Sequence, residues 1–439
     1  MGVVTRFFVR LVQRFLPDAF IFAIILTFLV FVLGILFTDS GPVQMVSHWG
    51  TGFWDLLAFT MQMSLVVVTG YVLANAPVIK NFLARLSKLA KTPAHAVMLV
   101  TFVAAIACLI NYGFGLVVGA LFAIHVARQV PSADFRILVA GAYSGFLVWH
   151  GGFSASIPLT VATSGHFLEE KMGVIPVSET LFSPSNLFIV AVLVITLPIF
   201  NRFLMKSGNT LYQDRSGWVI PEETVPKEVK TPSTPAEKIE NSVIVSMLIG
   251  IMGLGFIVYH FVTKGFDLNI NIVNFIFLFL GILLHKTPKQ FLDTVTNGVK
   301  NAGGIIIQFP FYAGIMGMVT LSGLSQEMAL WFVSFANAHT LPFFSFLSGG
   351  LINIFVPSGG GQWAVQGPIM IEAASAINAD LAKTAVGVAW GDAWTNMIQP
   401  FWALPALAIA GLHIRDIMGF CVMILLYSFI PITIGLLLF

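Results

Sequence analysis

The side chains in this sequence that could do chemistry cluster where a helix cannot continue. One cluster is Asn111-Tyr112-Gly113-Phe114-Gly115, and another runs from Asn353 through Pro357, Ser358, Gly359, Gly360 and Gly361. A third is Trp149-His150-Gly151-Gly152-Phe153-Ser154, and a fourth is Asn396-Met397-Ile398-Gln399-Pro400. Each sets amides, hydroxyls or an imidazole beside glycine or proline within an apolar run. A helix that stops there leaves N–H groups at one broken end and carbonyls at the other, so the break can hold an anion or a cation. The candidate substrate-binding set is therefore Asn111, Gly113, Gly115, His150, Ser154, Asn353, Ser358, Gly359, Gly360, Gly361 and Gln399. The glycines have a competing explanation in close helix packing, and the asparagines one in capping a hairpin helix.

Ionisable groups inside the apolar segments are His95, His125, His150, Glu372 and Asp392, with Asp55 and Asp293 near segment ends. His95 and His125 read as structural residues near the ends of their segments. Asp392 follows Lys383 by nine residues of sequence, about 13 Å of helix at ~1.5 Å per residue, which is mid-bilayer depth. A carboxylate there requires a proton or a bound cation such as Na⁺, because no lysine or arginine is expected at that depth to pair with it. Its counterpart in the internal repeat described below is Gly145, so that symmetry supplies no partner. Asp392 is the candidate cation-coupling residue. The coupling ion is H⁺ or Na⁺, the latter near Asn111, Asn353 and Asp392, and no other cofactor is expected. No metal-ligand spacing occurs, and Cys108 and Cys421 lie in apolar runs that give no disulfide framework. Gly152-Phe153-Ser154-Ala155-Ser156 approaches a nucleophile elbow but lacks its second glycine and its strand-turn-helix setting, so a serine hydrolase is a minor alternative and no enzyme is expected.

The elements that must position these residues are membrane helices. Of 439 residues, 57% are hydrophobic, and only 10% are charged, against about 25% in soluble domains. There are 41 phenylalanines, and the mean hydropathy is +0.91. Lipid must solvate much of this surface. The net charge of +2 is spread between apolar segments and forms no nucleic-acid patch. Residues 1–16 form an amphipathic pattern, with Phe7, Phe8, Leu11, Val12, Phe15 and Leu16 opposite Arg6, Arg10, Gln13 and Arg14, which predicts a helix lying in the membrane interface.

Apolar spans are predicted at 17–37, 54–75, 136–163, 186–204, 243–262, 270–284, 301–320, 384–411 and 416–438. Two further apolar stretches within 92–130 and 340–378 are broken at their middles and read as re-entrant helical hairpins, with two ordinary spans each as the alternative. With the N-terminus inside, every lysine and arginine except Lys171, Lys264 and Lys383 falls on the cytoplasmic side. That asymmetry is the positive-inside pattern, and it places Phe439 outside. Proline and charge at 206–240 predict a cytoplasmic linker between a first half, 17–205, and a second, 241–439.

The halves share weak, ordered matches: Phe53-Trp54-Asp55 with Phe291-Leu292-Asp293, Leu109-Ile110-Asn111 with Leu351-Ile352-Asn353, and Ala142 and Pro158 with Ala389 and Pro405. An odd number of crossings separates the two starts, so the repeats are inverted. Inverted repeats with hairpins and broken spans (136–165 and 384–411 here) typify secondary transporters that bind substrate at the midplane. A passive channel is the rival reading, since broken helices also line pores.

At these motifs the sequence resembles the short-chain fatty acid transporter family. The resemblance rests on Phe59 to Ala74, Cys108 to Ala123, Val356 to Pro368 and Gln399 to Phe420, and it runs along essentially the whole chain. It implies an all-α polytopic protein of the ion-transporter superfamily. That fold carries hairpins, broken helices and an elevator-type transport domain, here 92–165 and 340–411, and it forms homodimers in a lipid bilayer. It implies transport of acetoacetate, butyrate and similar monocarboxylates across the bacterial cytoplasmic membrane. The superfamily's dicarboxylate carriers have Ser-Asn-Thr signatures at their tips, whereas these tips read Asn111-Tyr112-Gly113 and Pro357-Ser358-Gly359. A single carboxylate with a small apolar tail fits that departure.

Overall fold

The computed structural model describes residues 19–208 and 234–439; the amphipathic segment at 1–16 and residues 209–233 of the linker lie outside the described residues. What is described is helical, with no strand. Eight helices among the described residues are long and apolar enough to cross a membrane: Phe20–Phe37, Leu57–Ala74, Pro93–Ile110, Tyr112–Gln129, Pro184–Met205, Val243–Lys264, Pro288–Leu321 and Ile414–Leu438. Ile270–His285, Leu341–Ile352 and Phe401–Ala410 are shorter apolar helices. The protein is a multi-pass membrane protein, and the predicted spans coincide with observed helices to within a few residues.

Each of the two stretches predicted as hairpins is a pair of helices broken at its middle, and both limbs of the first pair are long enough to cross a membrane. The first breaks at Asn111 alone, between Pro93–Ile110 and Tyr112–Gln129. The second breaks over residues 353–358, between Leu341–Ile352 and Gly359–Ala376. Both long spans also break. The first runs as a helix from Phe135 to Ser144, a seven-residue 3-10 helix at Gly145–Gly151, a turn, and a short helix at Ser156–Val161. Runs of 3-10 helix this long are uncommon and mark local constraint. The second runs from Leu381 to Thr395, then as 3-10 helix at Asn396–Ile398, then from Pro400 to Ala410. Pro400 opens the new helix, where its missing N–H leaves no bond unmade.

Glycine sets how closely each hairpin lies on its broken span. A Cβ on Gly145 would stand 2.5 Å from the backbone nitrogen of Ala105, and one on Gly141 2.7 Å from Thr101 Oγ1. In the second half, a Cβ on Gly391 would stand 2.3 Å from the carbonyl oxygen of Phe346, and one on Gly387 2.3 Å from that of Pro342. The same spacing of two glycines, four apart, thus seats the descending hairpin limb in each half. None of these four has a positive φ, so close approach and not backbone conformation requires them.

Several short helices are absent from the sequence reading. Pro42–Gly52, Pro77–Leu86 and Leu324–Val333 are too short to read as spans. The first docks through glycine, since a Cβ on Gly52 would meet the backbone of Gly317 at 2.8 Å. The predicted span at 301–320 is preceded by an amphipathic stretch, Pro288–Val299. The end of the linker is ordered as a helix at Pro235–Glu240, opened by a capping box in which Thr234 Oγ1 accepts from the Glu237 N–H at 3.2 Å.

Gly391→Ala should lower the unfolding temperature in detergent, by an amount corresponding to about 1–3 kcal/mol of overpacking, because the added methyl meets backbone that cannot turn aside. Gly255→Ala, where a Cβ would meet nothing within 4 Å, should be neutral or slightly stabilising. A melt of Gly391→Ala equal to wild type would show that the limb and the span do not meet through this glycine.

Candidate functional site

The second break is held by three side chains. Asn353 ends the descending limb, and its Nδ2 lies 3.0 Å from the Asp392 carbonyl, 3.0 Å from Thr395 Oγ1 and 2.8 Å from Asn396 Oδ1. Gln399 Nε2 donates to the carbonyls of Asn353 at 2.7 Å and Ile354 at 3.0 Å. Tyr143, from the first half, donates its hydroxyl to the Asn396 carbonyl at 2.5 Å, with the Gln399 carbonyl at 3.3 Å. Carbonyls at the interrupted helix are thus bound by side chains from two directions, those of Asp392 and Asn396 in addition to a backbone N–H.

The first break and the first tip are knotted in a similar way. Asn111 caps the returning limb, its Oδ1 accepting from the Phe114 N–H at 2.8 Å, and its Nδ2 donates to the Val66 carbonyl at 3.3 Å. Ser154 Oγ accepts from the Tyr112 N–H at 2.8 Å. Phe153 N–H donates to the Leu109 carbonyl at 2.7 Å. Gly113 and Gly115 serve close packing here: Cβ atoms would meet the Val67 carbonyl oxygen at 3.1 Å and Cys108 Sγ at 2.3 Å.

Between the knots lies a wholly buried pair. His150 Nδ1 stands 3.4 Å from Asp392 Oδ2, and both side chains have no exposed surface. Asn396 Nδ2 donates to the same oxygen at 3.1 Å, and the Ala389 carbonyl lies 2.7 Å from His150 Nδ1. Asp392 Oδ1, His150 Nε2 and Asn353 Oδ1 are buried without hydrogen-bond partners. Among the described residues no lysine or arginine pairs with Asp392, as expected; its neighbour is His150 from the other broken span, a partner that the repeat did not supply. Trp149 stacks on the imidazole with ring centroids 3.6 Å apart, and Tyr112, Phe146 and Trp402 extend the aromatic wall.

The second tip closes over this pair. Ser358 caps the returning limb, its Oγ accepting from Gly361 N–H at 3.4 Å. A Cβ on Gly359 would lie 2.5 Å from His150 Nε2, one on Gly360 2.7 Å from the Phe59 ring, and one on Gly361 2.5 Å from the Tyr312 ring. All three glycines are buried, and none has a positive φ. Of the residues singled out from sequence, His150, Asn353, Gly359, Gln399 and Asp392 come together. Asn111, Gly113, Gly115 and Ser154 assemble at the other tip, and Gly360 and Gly361 face spans 57–74 and 303–321.

The sequence reading missed Tyr143 and Thr395, and also Gln362 and Gln366. The two glutamines brace the second hairpin: Gln362 Nε2 donates to the Gly349 carbonyl at 2.9 Å and to Gln366 Oε1 at 3.0 Å, and Gln366 Nε2 donates to Ser348 Oγ at 2.8 Å. Two glutamines four apart in an apolar helix are a legible signal of such a ladder. Glu372 is no isolated carboxylate; Lys171 Nζ lies 2.5 Å from its Oε1, and Ser325 donates to the same atom at 3.0 Å. His95 is exposed in the first turn of its helix. No group of three or more His, Cys, Asp or Glu gathers among the described residues.

Comparison with known proteins decides the family. The family model described as "Short chain fatty acid transporter" matches residues 1–439. The chain belongs to the short-chain fatty acid transporter family. An Escherichia coli K12 protein named "Putative short-chain fatty acid transporter" is 47% identical over 439 residues, covering 100% of both chains. A Haemophilus influenzae protein of the same name is 46% identical over 441 residues, covering 99% of this chain and 98% of that one. The crystal structure of the YdaH transporter of Alcanivorax borkumensis shares the fold, with a TM-score of 0.58 at 16% identity over 96% of this chain and 97% of that one. Members of the short-chain fatty acid transporter family are transporters and not enzymes, which removes the hydrolase alternative for Ser154.

Tyr143→Phe should destabilise this family member by about 0.5–1.5 kcal/mol, since the Asn396 carbonyl loses the shorter of two hydrogen bonds and keeps the one from Gln399 N–H. A lower melting temperature and faster amide exchange at residues 396–399 would show it. Unchanged exchange there would mean that the hydroxyl does not hold the break.

Proposed function

We propose that this protein carries one small monocarboxylate, acetoacetate or butyrate in type, across the bacterial cytoplasmic membrane together with a cation bound at Asp392. The observation that carries this reading is the central site itself. Two broken spans and a hairpin tip meet at a buried polar cluster whose only formal charges are those of Asp392 and, when protonated, His150. Neutral donors and helix ends can hold one carboxylate there. Two carboxylates would need a guanidinium or ammonium group. The aromatic wall of Tyr112, Phe146, Trp149 and Trp402 suits a short apolar tail. His150, Asn353 and Gln399, with the Gly359 end of the second tip, form the core of the substrate site. Asn111, Gly113, Gly115, Ser154, Ser358, Gly360 and Gly361 shape it from the tips.

The transport movement we propose is an elevator, in which 92–165 and 340–411 move as one body. Hydrogen bonds extend that body to Pro184–Gly208 and Ile414–Leu438. Asn201 Nδ2 donates to Thr101 Oγ1 at 3.0 Å and to Ser144 Oγ at 2.8 Å. Trp390 Nε1 donates to Asn186 Oδ1 at 3.0 Å, and Trp394 Nε1 to the Leu425 carbonyl at 2.8 Å. Toward spans 57–74 and 303–321 the second tip instead presents apolar contacts, with Phe59, Met63 and Tyr312. Such a surface can slide with few hydrogen bonds broken. The 12-residue limb Leu341–Ile352, about 18 Å long, is too short to cross a ~30 Å core, which supports a re-entrant second hairpin. A homodimer, with its scaffold spans paired, completes the proposal. The proposed orientation, supported by the lysine and arginine asymmetry of the sequence, has the N-terminus and the linker in the cytoplasm and Phe439 outside.

Proteoliposomes should show saturable uptake of labelled butyrate or acetoacetate that unlabelled monocarboxylates suppress and succinate or citrate barely affects. Strong competition by a dicarboxylate would sink the single-carboxylate reading, and flux that never saturates would favour a channel. Reporters active in only one compartment should score the linker as cytoplasmic and a fusion after Phe439 as external. A cytoplasmic C-terminus would overturn the inverted arrangement.

A further inference from the structure

His150 Nδ1 lies 2.7 Å from the carbonyl oxygen of Ala389. A carbonyl only accepts, so Nδ1 carries a hydrogen, and Nε2 is the open position of the neutral ring. Asp392 Oδ2 is faced by two donors, Asn396 Nδ2 at 3.1 Å and His150 Nδ1 at 3.4 Å. Its Oδ1 has no partner, and neither has Nε2. One buried pair thus presents two vacancies, a carboxyl oxygen and an imidazole nitrogen, and each can take one proton. We infer that His150 and Asp392 form a single proton-binding site shared by the two broken spans, so that the ion coupled to transport is H⁺ and not Na⁺. This rests on the transport reading above and names its coupling ion.

Charge balance favours the arrangement. With one proton on Oδ1, the pair is a carboxylic acid beside a neutral imidazole. With the same proton on Nε2, it is a carboxylate beside an imidazolium. Both forms are neutral overall, so a single proton on either atom leaves no net charge in the apolar interior. Releasing it leaves one negative charge, which burial disfavours until another proton arrives. One turnover moves one H⁺ and one carboxylate in the same direction, and the positive and negative charges cancel. The stacked indole of Trp149 offers its electron-rich face to the imidazolium form. Nε2 points at Gly359, the first residue of the returning limb, so a proton there becomes a donor at the place where that helix also ends its N–H groups. Sodium is the weaker fit. Hard cations gather several oxygen ligands, whereas Asp392 Oδ2 is already met by N–H groups and the unpartnered side-chain oxygens here are two, Asp392 Oδ1 and Asn353 Oδ1.

Titratable neighbours from the packed elements do not replace either member. Cys108 and Tyr112 on the first hairpin, Tyr143 on the first broken span and Cys421 on the last helix are wholly or almost wholly buried. The Tyr143 hydroxyl is engaged by the Asn396 carbonyl. Glu372 on the second hairpin is tied to Lys171. Asp380 and Lys383 begin the helix that carries Asp392, Arg415 and Asp416 begin the last helix, and Tyr427 lies further along it. Lys171, Asp380, Lys383, Arg415 and Asp416 lie toward the ends of their helices. On the elements around His150, His95 lies in a first turn, His125 and Arg128 near the end of the returning limb, and Arg202 near the end of Pro184–Gly208.

The test uses full-length protein in proteoliposomes with labelled butyrate, under either a pH gradient without sodium or a sodium gradient at equal pH. Wild type should accumulate butyrate under the pH gradient alone, beyond the passive entry of butyric acid into protein-free vesicles, and a trapped pH dye should report substrate-dependent proton entry above that background. Asp392→Asn and His150→Asn, which retain hydrogen-bonding capacity but cannot titrate, should each lose accumulation, and any exchange they retain should lose its pH dependence. The double variant should be no worse than either single one, as for two residues acting as a unit. Asp392→Glu should restore some pH-dependent accumulation, which a merely structural role would not predict. If the asparagine variants do not purify, the pH profile of Asp392→Glu decides: a profile unshifted from wild type would overturn the shared site. Accumulation under the sodium gradient only, or variants that still concentrate butyrate under the pH gradient, would overturn the shared proton site while leaving the carrier reading intact. A wild type with no saturable flux under either gradient would overturn the carrier reading and this inference together.

Discussion

A backbone broken inside a bilayer has no water to complete its hydrogen bonds, and the whole centre of this protein is organised around that constraint. Each interruption frees carbonyls and N–H groups that would cost several kcal/mol if left alone. The structure answers with side chains drawn from the other half or from the neighbouring hairpin. Tyr143 reaches across to residue 396, Gln399 reaches back to the end of the second descending limb, and Ser154 takes the first N–H group of the first returning limb. These bonds bring breaks that are distant in sequence into one place. The binding capacity of the site is what remains after the backbone has been served.

What remains is small and specific. After Asn353 Nδ2, Gln399 Nε2 and Asn396 Nδ2 are committed, the open atoms are a carboxyl oxygen, an amide oxygen, an imidazole nitrogen and the indole N–H groups of Trp149 and Trp402. Oxygen acceptors without donors do not attract an anion. In the proposed carrier, an anionic substrate has three sources of donors: a proton on this cluster, the indole N–H groups and the N–H ends of the tip helices. A carboxylate held beside Asp392 would meet its charge, so that proposal ties the charge state of the centre to the acceptance of substrate.

Much of this was legible in the sequence, because lipid imposes long apolar runs and because glycine and proline mark where they fail. The spans, the two hairpins and both broken helices follow from those rules. The pairing of His150 with Asp392 does not. They belong to different halves, and the apparent repeat set Gly145 opposite Asp392, which suggested no partner. The packing suggests a different register, since Gly145 and Gly391 occupy like positions against their hairpin limbs. Weak repeat matches fix the order of elements but not the residue-level alignment that a contact requires. The short helices at Pro42–Gly52 and Leu324–Val333 also escape, since they form by docking on neighbours and not by hydropathy.

The glycines of the second tip carry two explanations that the sequence could not separate, and the structure joins them. Gly359, Gly360 and Gly361 are small because His150, Phe59 and Tyr312 press against them. Yet their absent side chains are also what lets a helix N-terminus approach the buried pair closely. With a side chain at residue 359, the tip would stand off from Nε2, and the N–H groups of the returning limb would lose their hold on anything bound there. Phe59 and Tyr312 belong to spans that keep few polar links to this tip, whereas His150 belongs to the body that carries the site. The same three residues therefore set the seal around the centre, and in the proposed elevator they would also form the surface along which the body slides. In that proposal a change that fills one of them acts on binding and on movement at once.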